Sequence, residues 1–329
     1  MNGAIATGHV MRCLAIADAA KEQGEDTTFL LADDQAAELL KERGYPFIIL
    51  HTKWNDMDSE LAVIAEVAAA RKIRTLLIDS YQITKNYLKK LTAMVNTVYL
   101  DDRSIFVYPV NTIICYASYW KKYKYEEQYT DTKLLLGPAY TPLRADFRNC
   151  RRKKIRAEVE ELLLLSGGAD HYDILERILE KIDKERYRRI GVICGMYYSK
   201  YGELCEKYKK YDNVHIHAAV TDMETYMDRA DLAVTAGGLT LYELCAFGAP
   251  AISYSIADNQ LENVRKFQED GIIDYAGDVR WDDITAHICG YLKKYHTDKR
   301  LRQERSEKMQ ALVDGRGAER IAKYLIEIT

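Results

Sequence analysis

Leu232-Ala233-Val234-Thr235-Ala236-Gly237-Gly238-Leu239-Thr240-Leu241-Tyr242-Glu243-Leu244-Cys245-Ala246 reads as a short apolar strand, a glycine turn and the start of a helix. Another apolar run, Ala249-Pro250-Ala251-Ile252-Ser253-Tyr254, follows at once. A strand that turns into a helix and then into a further strand is the repeating unit of a parallel sheet covered by helices. Glycines in such a turn permit close backbone approach, and the helix start offers N–H groups to a diphosphate. Glu243 lies early in that helix, where its carboxylate can accept hydrogen bonds from ribose hydroxyls. A second pair, Gly167-Gly168, follows the apolar run Glu161 to Ser166. A tight turn alone also asks for glycine. Two such turns at strand ends in one half of the chain point to a ligand there, because open α/β sheets bind at their strand ends.

The alternation extends through the chain. Residues 28–32, 47–50, 75–79, 98–101 and 112–115 read as strands, with helical patterns over 58–71 and 85–95. The pattern restarts with strands at 161–166, 190–194, 214–216, 232–235 and 249–254. The expected architecture is two Rossmann-like halves. Their boundary falls within Pro138 to Ala157 and is placed between residues 147 and 148. The basic run Arg148-Asn149-Cys150-Arg151-Arg152-Lys153-Lys154 reads as a solvated linker. The charged tail, 299–328, reads as a helix that crosses back onto the first half.

Near the start stands Thr7-Gly8-His9-Val10-Met11-Arg12, with apolar residues recurring at helical spacing after it. That places His9 in the first turn of a helix, where anions are favoured. Histidine changes charge near neutral pH, so His9 is a candidate general base; the plainer reading is a cap or a packed ring. Arg12, one turn later, faces either substrate or a carboxylate. Asp79, Asp101 and Asp102 end strands, where both sites and helix caps occur. Tyr119-Trp120-Lys121-Lys122-Tyr123-Lys124-Tyr125 reads as a sugar- or partner-binding run, or as an ordered surface loop.

Apolar residues at 48% and charged residues at 29% describe a globular chain, and its 329 residues suffice for two cores. A net charge of -3 argues against general nucleic-acid binding. No apolar stretch is long enough for a membrane span, and the start is not a signal peptide. Seven scattered cysteines without a C-x-x-C pair indicate reduced thiols and a cytoplasmic setting. The histidines form no metal-spaced cluster; His215 and His217, alternating on one strand, read as structural or surface residues. No metal and no cofactor is expected.

Taken together these residues resemble the GT-B superfamily. Within it the chain is similar to the UDP-2,4-diacetamido-2,4,6-trideoxy-β-L-altropyranose hydrolases and to the related spore-coat polysaccharide proteins. The matching segments are Gly8-His9-x-x-Arg12, Ile78-Asp79-Ser80-Tyr81, Leu100-Asp101-Asp102, and Gly137 through Tyr140-x-x-Leu143-Arg144-x-x-Phe147. They continue with Ser166-Gly167-Gly168-Ala169-Asp170, Ala230-Asp231-Leu232, Gly237-Gly238-x-Thr240-x-x-Glu243 and Asp258-Asn259-Gln260. The resemblance implies a GT-B fold with a cleft between the halves. It implies His9 as general base, with Tyr81 and Asn259 beside the sugar and the attacking water. It gives UDP to Gly167, Gly168, Gly237, Gly238, Leu239, Thr240 and Glu243, and the sugar to Gly8, Arg12 and Gln260. The implied reaction is hydrolysis of a UDP-linked diacetamido-trideoxyhexose with inversion, in pseudaminic acid synthesis. The alternative is transfer of such a sugar to an acceptor hydroxyl, and a further one is nucleotide-sugar binding without turnover. A monomer is favoured. The family pattern opens with a strand ending in Arg-x-Asp, whereas only Met1 to Ala6 precede Thr7 here. The expectation is therefore a first strand missing or shortened, with the natural start upstream.

Overall fold

The computed structural model describes residues 8–168, 170–195, 197–218 and 220–329. The chain divides into two units, Met1–Ala145 with Arg316–Thr329, and Asp146–Gly315.

In the first unit the order is α1 (Gly8–Glu22), β1 (Phe29–Leu31), α2 (Ala37–Glu42), β2 (Phe47–Ile49), α3 (Leu61–Arg71) and β3 (Thr75–Ile78). There follow α4 (Lys85–Thr92), β4 (Asn96–Leu100), β5 (Thr112–Cys115), α5 (Tyr125–Gln128) and β6 (Lys133–Leu136). The strands form two parallel sheets, β1-β2 and β3-β4-β5-β6. Period-two alternation splits β1 between two layers. Phe29 and Leu31 pack with Val10, Leu14 and Ala17 of α1, whereas Leu30 packs on the cluster that also takes Leu76 of β3. Val10, Leu14 and Ala17 recur at helical spacing, and that stripe is what α1 buries. The Thr7 cap and the shortened first strand at Met1 to Ala6 lie outside the described residues, and no described strand pairs β1 with β3.

The second unit runs β7 (Glu161–Leu165), α6 (Ile174–Lys181), β8 (Arg189–Cys194), α7 (Tyr201–Tyr208), β9 (Val214–Ala218), α8 (Met223–Arg229) and β10 (Leu232–Ala236). It continues with α9 (Thr240–Phe247), β11 (Ala251–Ser255), α10 (Asp258–Glu269), β12 (Asp274–Asp278), α11 (Ile284–Thr297) and α12 (Lys299–Leu312). Its single sheet is parallel, in the order β12-β11-β10-β7-β8-β9. Read from β9, that is the doubly wound Rossmann order, whose direction reverses between β7 and β10. The core is aliphatic, with Leu162, Leu164, Ile190, Val192, Leu232 and Val234 almost fully buried between the helix layers.

Three features differ from the sequence reading. The tail is two helices, α12 and α13 (Gly317–Glu327), and α13 packs on α1 in the first unit. The break falls at Gly315, whose φ of 73° is left-handed and whose missing Cβ leaves room for the Phe147 carbonyl. Strands β6 and β12 went unread, because Lys133 heads one and Asp274, Gly277 and Asp278 interrupt the other, residues that strands disfavour. Both are sheet edges, where such residues are tolerated. Lys153, read as part of a solvated linker, is buried, and its Nζ donates to the carbonyls of Met227 and Asp228 at the end of α8. Burial pushes its pKa down to about 8.

Candidate functional site

Two constellations hold the residues singled out from the sequence, one in each unit. In the second unit, β7 and β10 are neighbours, with Leu162 opposite Leu232 and Leu164 opposite Val234. The turns after them, Gly167-Gly168 and Gly237-Gly238, therefore leave adjacent strands at the point where the winding reverses, the place where open α/β sheets take ligands. The N–H groups of Gly167, Gly168, Leu239 and Thr240 have no partner among the described residues. Thr240 opens α9, so its N–H also carries the positive end of the helix dipole. Four donors without a partner among the described residues, on turns that leave adjacent strands, suit an anionic group such as a diphosphate.

The glycines themselves divide by cause. Gly167 has φ of 81°, a left-handed conformation. Gly237 is buried, and a Cβ there would overlap the Val264 side chain of α10. Gly238 is open, with Gln260 Nε2 the nearest atom at 4.0 Å from an added Cβ. Gly238 therefore leaves room for a close approach to its backbone, while Gly237 answers to helix packing. Asn263, which the sequence reading passed over, fixes this turn: its Nδ2 donates to the Gly237 carbonyl at 3.1 Å and its Oδ1 accepts from Tyr242 at 2.6 Å. Glu243 is half-buried in the first turn of α9, and Leu239 and Thr240 are partly exposed. Asn259 is exposed at the start of α10, and Gln260 turns its Oε1 back to the Ile256 N–H at 3.0 Å.

In the first unit, His9, Arg12 and Cys13 share one face of α1 through their i, i+3 and i+4 spacing. All three meet Asp79, which directly follows β3. His9 Nδ1 lies 2.6 Å from Asp79 Oδ1, Arg12 holds the carboxylate through Nε and Nη2 together, and the Cys13 thiol donates at 3.6 Å. Arg12 Nη1 also donates to the Tyr116 hydroxyl at 2.7 Å. Burial by itself would raise the Asp79 pKa, but the charge and hydrogen bonds of Arg12, with the His9 bond, outweigh it and hold it well below the usual carboxylate range. An ionised Asp79 accepts, so His9 Nδ1 carries the proton, and the Arg12 Nη2 only 3.0 Å from that nitrogen spends its hydrogen on Asp79. That tautomer leaves Nε2 as the basic nitrogen, with the ring 19% exposed. Gly8, at the helix start, is exposed.

Tyr81 packs edge-on against the His9 ring at 4.8 Å and donates its hydroxyl to Asp102 Oδ2 at 2.7 Å. Burial and Asp102 push the Tyr81 pKa up, so it acts as a neutral donor. Asp102 Oδ1 is buried without a partner among the described residues, and the carboxylate lies 3.9 Å from Arg12. Of the three strand-end aspartates, Asp79 and Asp102 belong to this constellation. Asp101 is structural: it accepts from Tyr108 and Tyr125 and from the N–H groups of Arg103 and Ser104.

The Tyr119–Tyr125 run serves the same scaffold, since Tyr119 and Tyr123 donate to the Asp102 carbonyl and Tyr125 to the Asp101 carboxylate. Replacing Tyr125 by phenylalanine leaves a buried carboxylate short of a donor. It is expected to lower stability by about 2 kcal/mol in denaturant titration while leaving nucleotide affinity unchanged. Among the described residues no three His, Cys, Asp or Glu side chains are placed to hold a metal ion, and no helix is long and apolar enough to cross a membrane.

Residues 146–308 match the family Glycosyl transferases group 1. A Methanocaldococcus jannaschii protein, "Uncharacterized protein MJ1062", is 24% identical over 324 residues; the match covers 93% of this chain, which spans 63% of that protein's length. The Bacillus subtilis "Spore coat polysaccharide biosynthesis protein SpsG" is 22% identical over 348 residues, covering 98% and 94%. A Helicobacter pylori protein named "Pseudaminic acid cytidylyltransferase and UDP-2,4-diacetamido-2,4,6-trideoxy-beta-L-altropyranose hydrolase" is 27% identical over 202 residues, 60% of this chain and 37% of that one. Among solved structures, Acinetobacter baumannii MurG superposes with a TM-score of 0.72 at 12% identity, covering 98% and 97% of the two chains. The chain has the GT-B fold, built of two Rossmann-like domains with parallel sheets, and over its C-terminal unit it is similar to the group 1 glycosyl transferases.

Proposed function

We propose that this chain is a nucleotide-sugar-dependent glycosyltransferase of polysaccharide synthesis that uses His9 as its general base. The observation that carries the reading is the His9–Asp79 pair locked by Arg12, which presents one basic imidazole nitrogen from the start of a helix. In this reaction the acceptor hydroxyl gives its proton to His9 Nε2 as its oxygen bonds to the anomeric carbon. The bond from that carbon to the diphosphate breaks, and UDP leaves with the electron pair. Attack opposite the leaving group inverts the configuration. The unpaired N–H groups of Gly167, Gly168, Leu239 and Thr240 stabilise the departing charge as fixed dipoles, and Glu243 accepts from the ribose hydroxyls. In the first unit Tyr81 and Gly8 stand beside His9 as sugar contacts, and in the second Asn259 and Gln260 lie at the start of α10. Arg12, expected at the sugar from the sequence, is instead buried on Asp79 and Tyr116 and holds His9's partner.

The sequence reading put hydrolysis first. The family match, and the full-length likeness to a spore-coat polysaccharide protein, favour transfer instead. Hydrolysis stays as the second reading because the partial Helicobacter pylori relative carries that activity in its name; the same His9 would then deprotonate a water. The test measures UDP release from UDP-2,4-diacetamido-2,4,6-trideoxy-β-L-altropyranose and from UDP-N-acetylglucosamine, with and without oligosaccharide acceptors. Transfer predicts release that depends on acceptor and collapses in His9→Ala. Fast release without acceptor would replace transfer by hydrolysis, and UDP-sugar binding with no release under any condition would sink both.

A further inference from the structure

Tyrosines in this chain are mostly buried, but Tyr172, Tyr197 and Tyr201 are 40%, 39% and 36% exposed. They lie on the two segments that leave β7 and β8, neighbouring strands of the second unit. The two segments are locked together. The Tyr197 N–H donates to the Gly168 carbonyl at 3.0 Å, and Lys200 Nζ meets Asp173 at 2.6 Å, joining the neighbours of Tyr201 and Tyr172. Gly195 lies so close to the Gly167 and Gly168 carbonyls that no Cβ fits between them. The aromatic rim is thus fixed to the turn whose free N–H groups suit a diphosphate. Two buried hydroxyls at the same strand ends, Ser166 Oγ and Tyr198 OH, have no partner among the described residues. Solvent-facing aromatic residues on segments that start from unpaired polar groups suit a surface that a ligand completes, although Tyr201 turns its hydroxyl toward the Ile216 carbonyl of β9 at 3.5 Å.

We propose that Tyr197, exposed and tied through its backbone to the Gly167-Gly168 turn, is the stacking platform for the base of the nucleoside diphosphate. The inference rests on the nucleotide-sugar reading above and adds which residues read the nucleoside. A diphosphate at the Gly167-Gly168 turn is directly linked, through one ribose, to a planar ring, and Tyr197 is the exposed aromatic side chain hydrogen-bonded through its own backbone to that turn. Stacking uses the ring face, so the platform gives affinity for a nucleoside without strong choice among bases.

The test is calorimetric binding of UDP and of ribose 5-diphosphate, which lacks the base, to the full chain and to Tyr197→Ala and Tyr197→Phe. Tyr197→Ala is expected to weaken UDP binding about tenfold, the loss of one stacked ring. Tyr197→Phe should keep the parent affinity, and ribose 5-diphosphate should not distinguish any of the three. Unchanged UDP affinity in Tyr197→Ala overturns the platform while leaving the nucleotide-sugar reading intact. Equal weakening by Phe and Ala, or equal weakening of the two ligands, also overturns it, because the side chain would then support the turn rather than touch the base. If the parent chain binds neither UDP nor a UDP-sugar, the functional reading fails first and the platform with it.

Discussion

Asp79→Asn is expected to cut turnover by roughly a thousandfold or more while leaving UDP affinity unchanged. In the reaction proposed above, the part of Asp79 is to position His9. As an ionised acceptor it fixes the proton on His9 Nδ1 and stabilises the imidazolium formed when Nε2 takes a proton. Asparagine keeps the shape but removes the charge, and it can offer its amide to Nδ1 in the wrong sense. In other His–carboxylate pairs that change costs up to about ten-thousandfold. Stability should fall as well, by about 3 kcal/mol, because Arg12 is buried and loses its bidentate partner, with only Asp102 at 3.9 Å to offset it. The two effects separate in the assay: kcat falls at temperatures where the variant is still folded, while KM for the nucleotide sugar stays.

The pH dependence of the same pair has a definite sign. Asp79 is depressed in the folded protein, so its stabilising effect is fully present above the unfolded carboxylate value of about 3.9. It is lost only as pH falls below that value toward the lower folded one. Melting temperatures of the parent chain should therefore show no pH dependence from Asp79 between pH 5 and pH 8. The parent should lose part of its advantage over Asp79→Asn below about pH 4. A parent–variant difference that shrank on going from pH 8 to pH 5 would contradict an ionised Asp79.

What the sequence disclosed followed from periodicity. Strands β7, β8, β10 and β11 are mainly apolar and almost wholly buried, as parallel strands covered on both faces are, and the glycine turns after β7 and β10 mark the reversal of winding. His9 was visible as a helix-start histidine. Its partner was less so, because Asp79 is seventy residues away and a strand-end aspartate is as often a cap. The spacing of His9, Arg12 and Cys13 was the available signal, since three polar residues on one helix face need something polar to meet. Asn263 left no comparable trace: it sits among polar residues in a helix, and its role depends on where the Gly237 carbonyl comes to rest. The Tyr119–Tyr125 run left two readings open, a binding strip or an ordered surface loop, and neither foresaw that its hydroxyls serve Asp101 and Asp102.

A series of glycine-to-alanine changes should separate fold from function at the paired turns. Gly195→Ala is expected to cost about 3 kcal/mol, the upper end for overpacking, because its Cβ would meet backbone carbonyls of Gly167 and Gly168 that no rotamer change can move aside. Gly237→Ala meets a side chain, that of Val264, which can shift with α10, and should cost about 1–2 kcal/mol. Gly238→Ala meets open space and has no left-handed φ, so denaturant midpoints should move by no more than about 0.5 kcal/mol equivalent. Its added methyl would instead stand beside the free N–H groups of Leu239 and Thr240, and UDP affinity should fall about tenfold or more. The order of destabilisation, with Gly195→Ala largest and Gly238→Ala near zero, should be nearly the reverse of the order of specific binding loss per folded molecule. If Gly238→Ala bound UDP like the parent, the diphosphate would not approach this turn, and the donor role given to Leu239 and Thr240 would have to move to the Gly167-Gly168 turn alone. The comparison turns on one methyl group at three sites that look alike in the sequence. They differ only in what lies opposite: a carbonyl pair, a valine, or nothing.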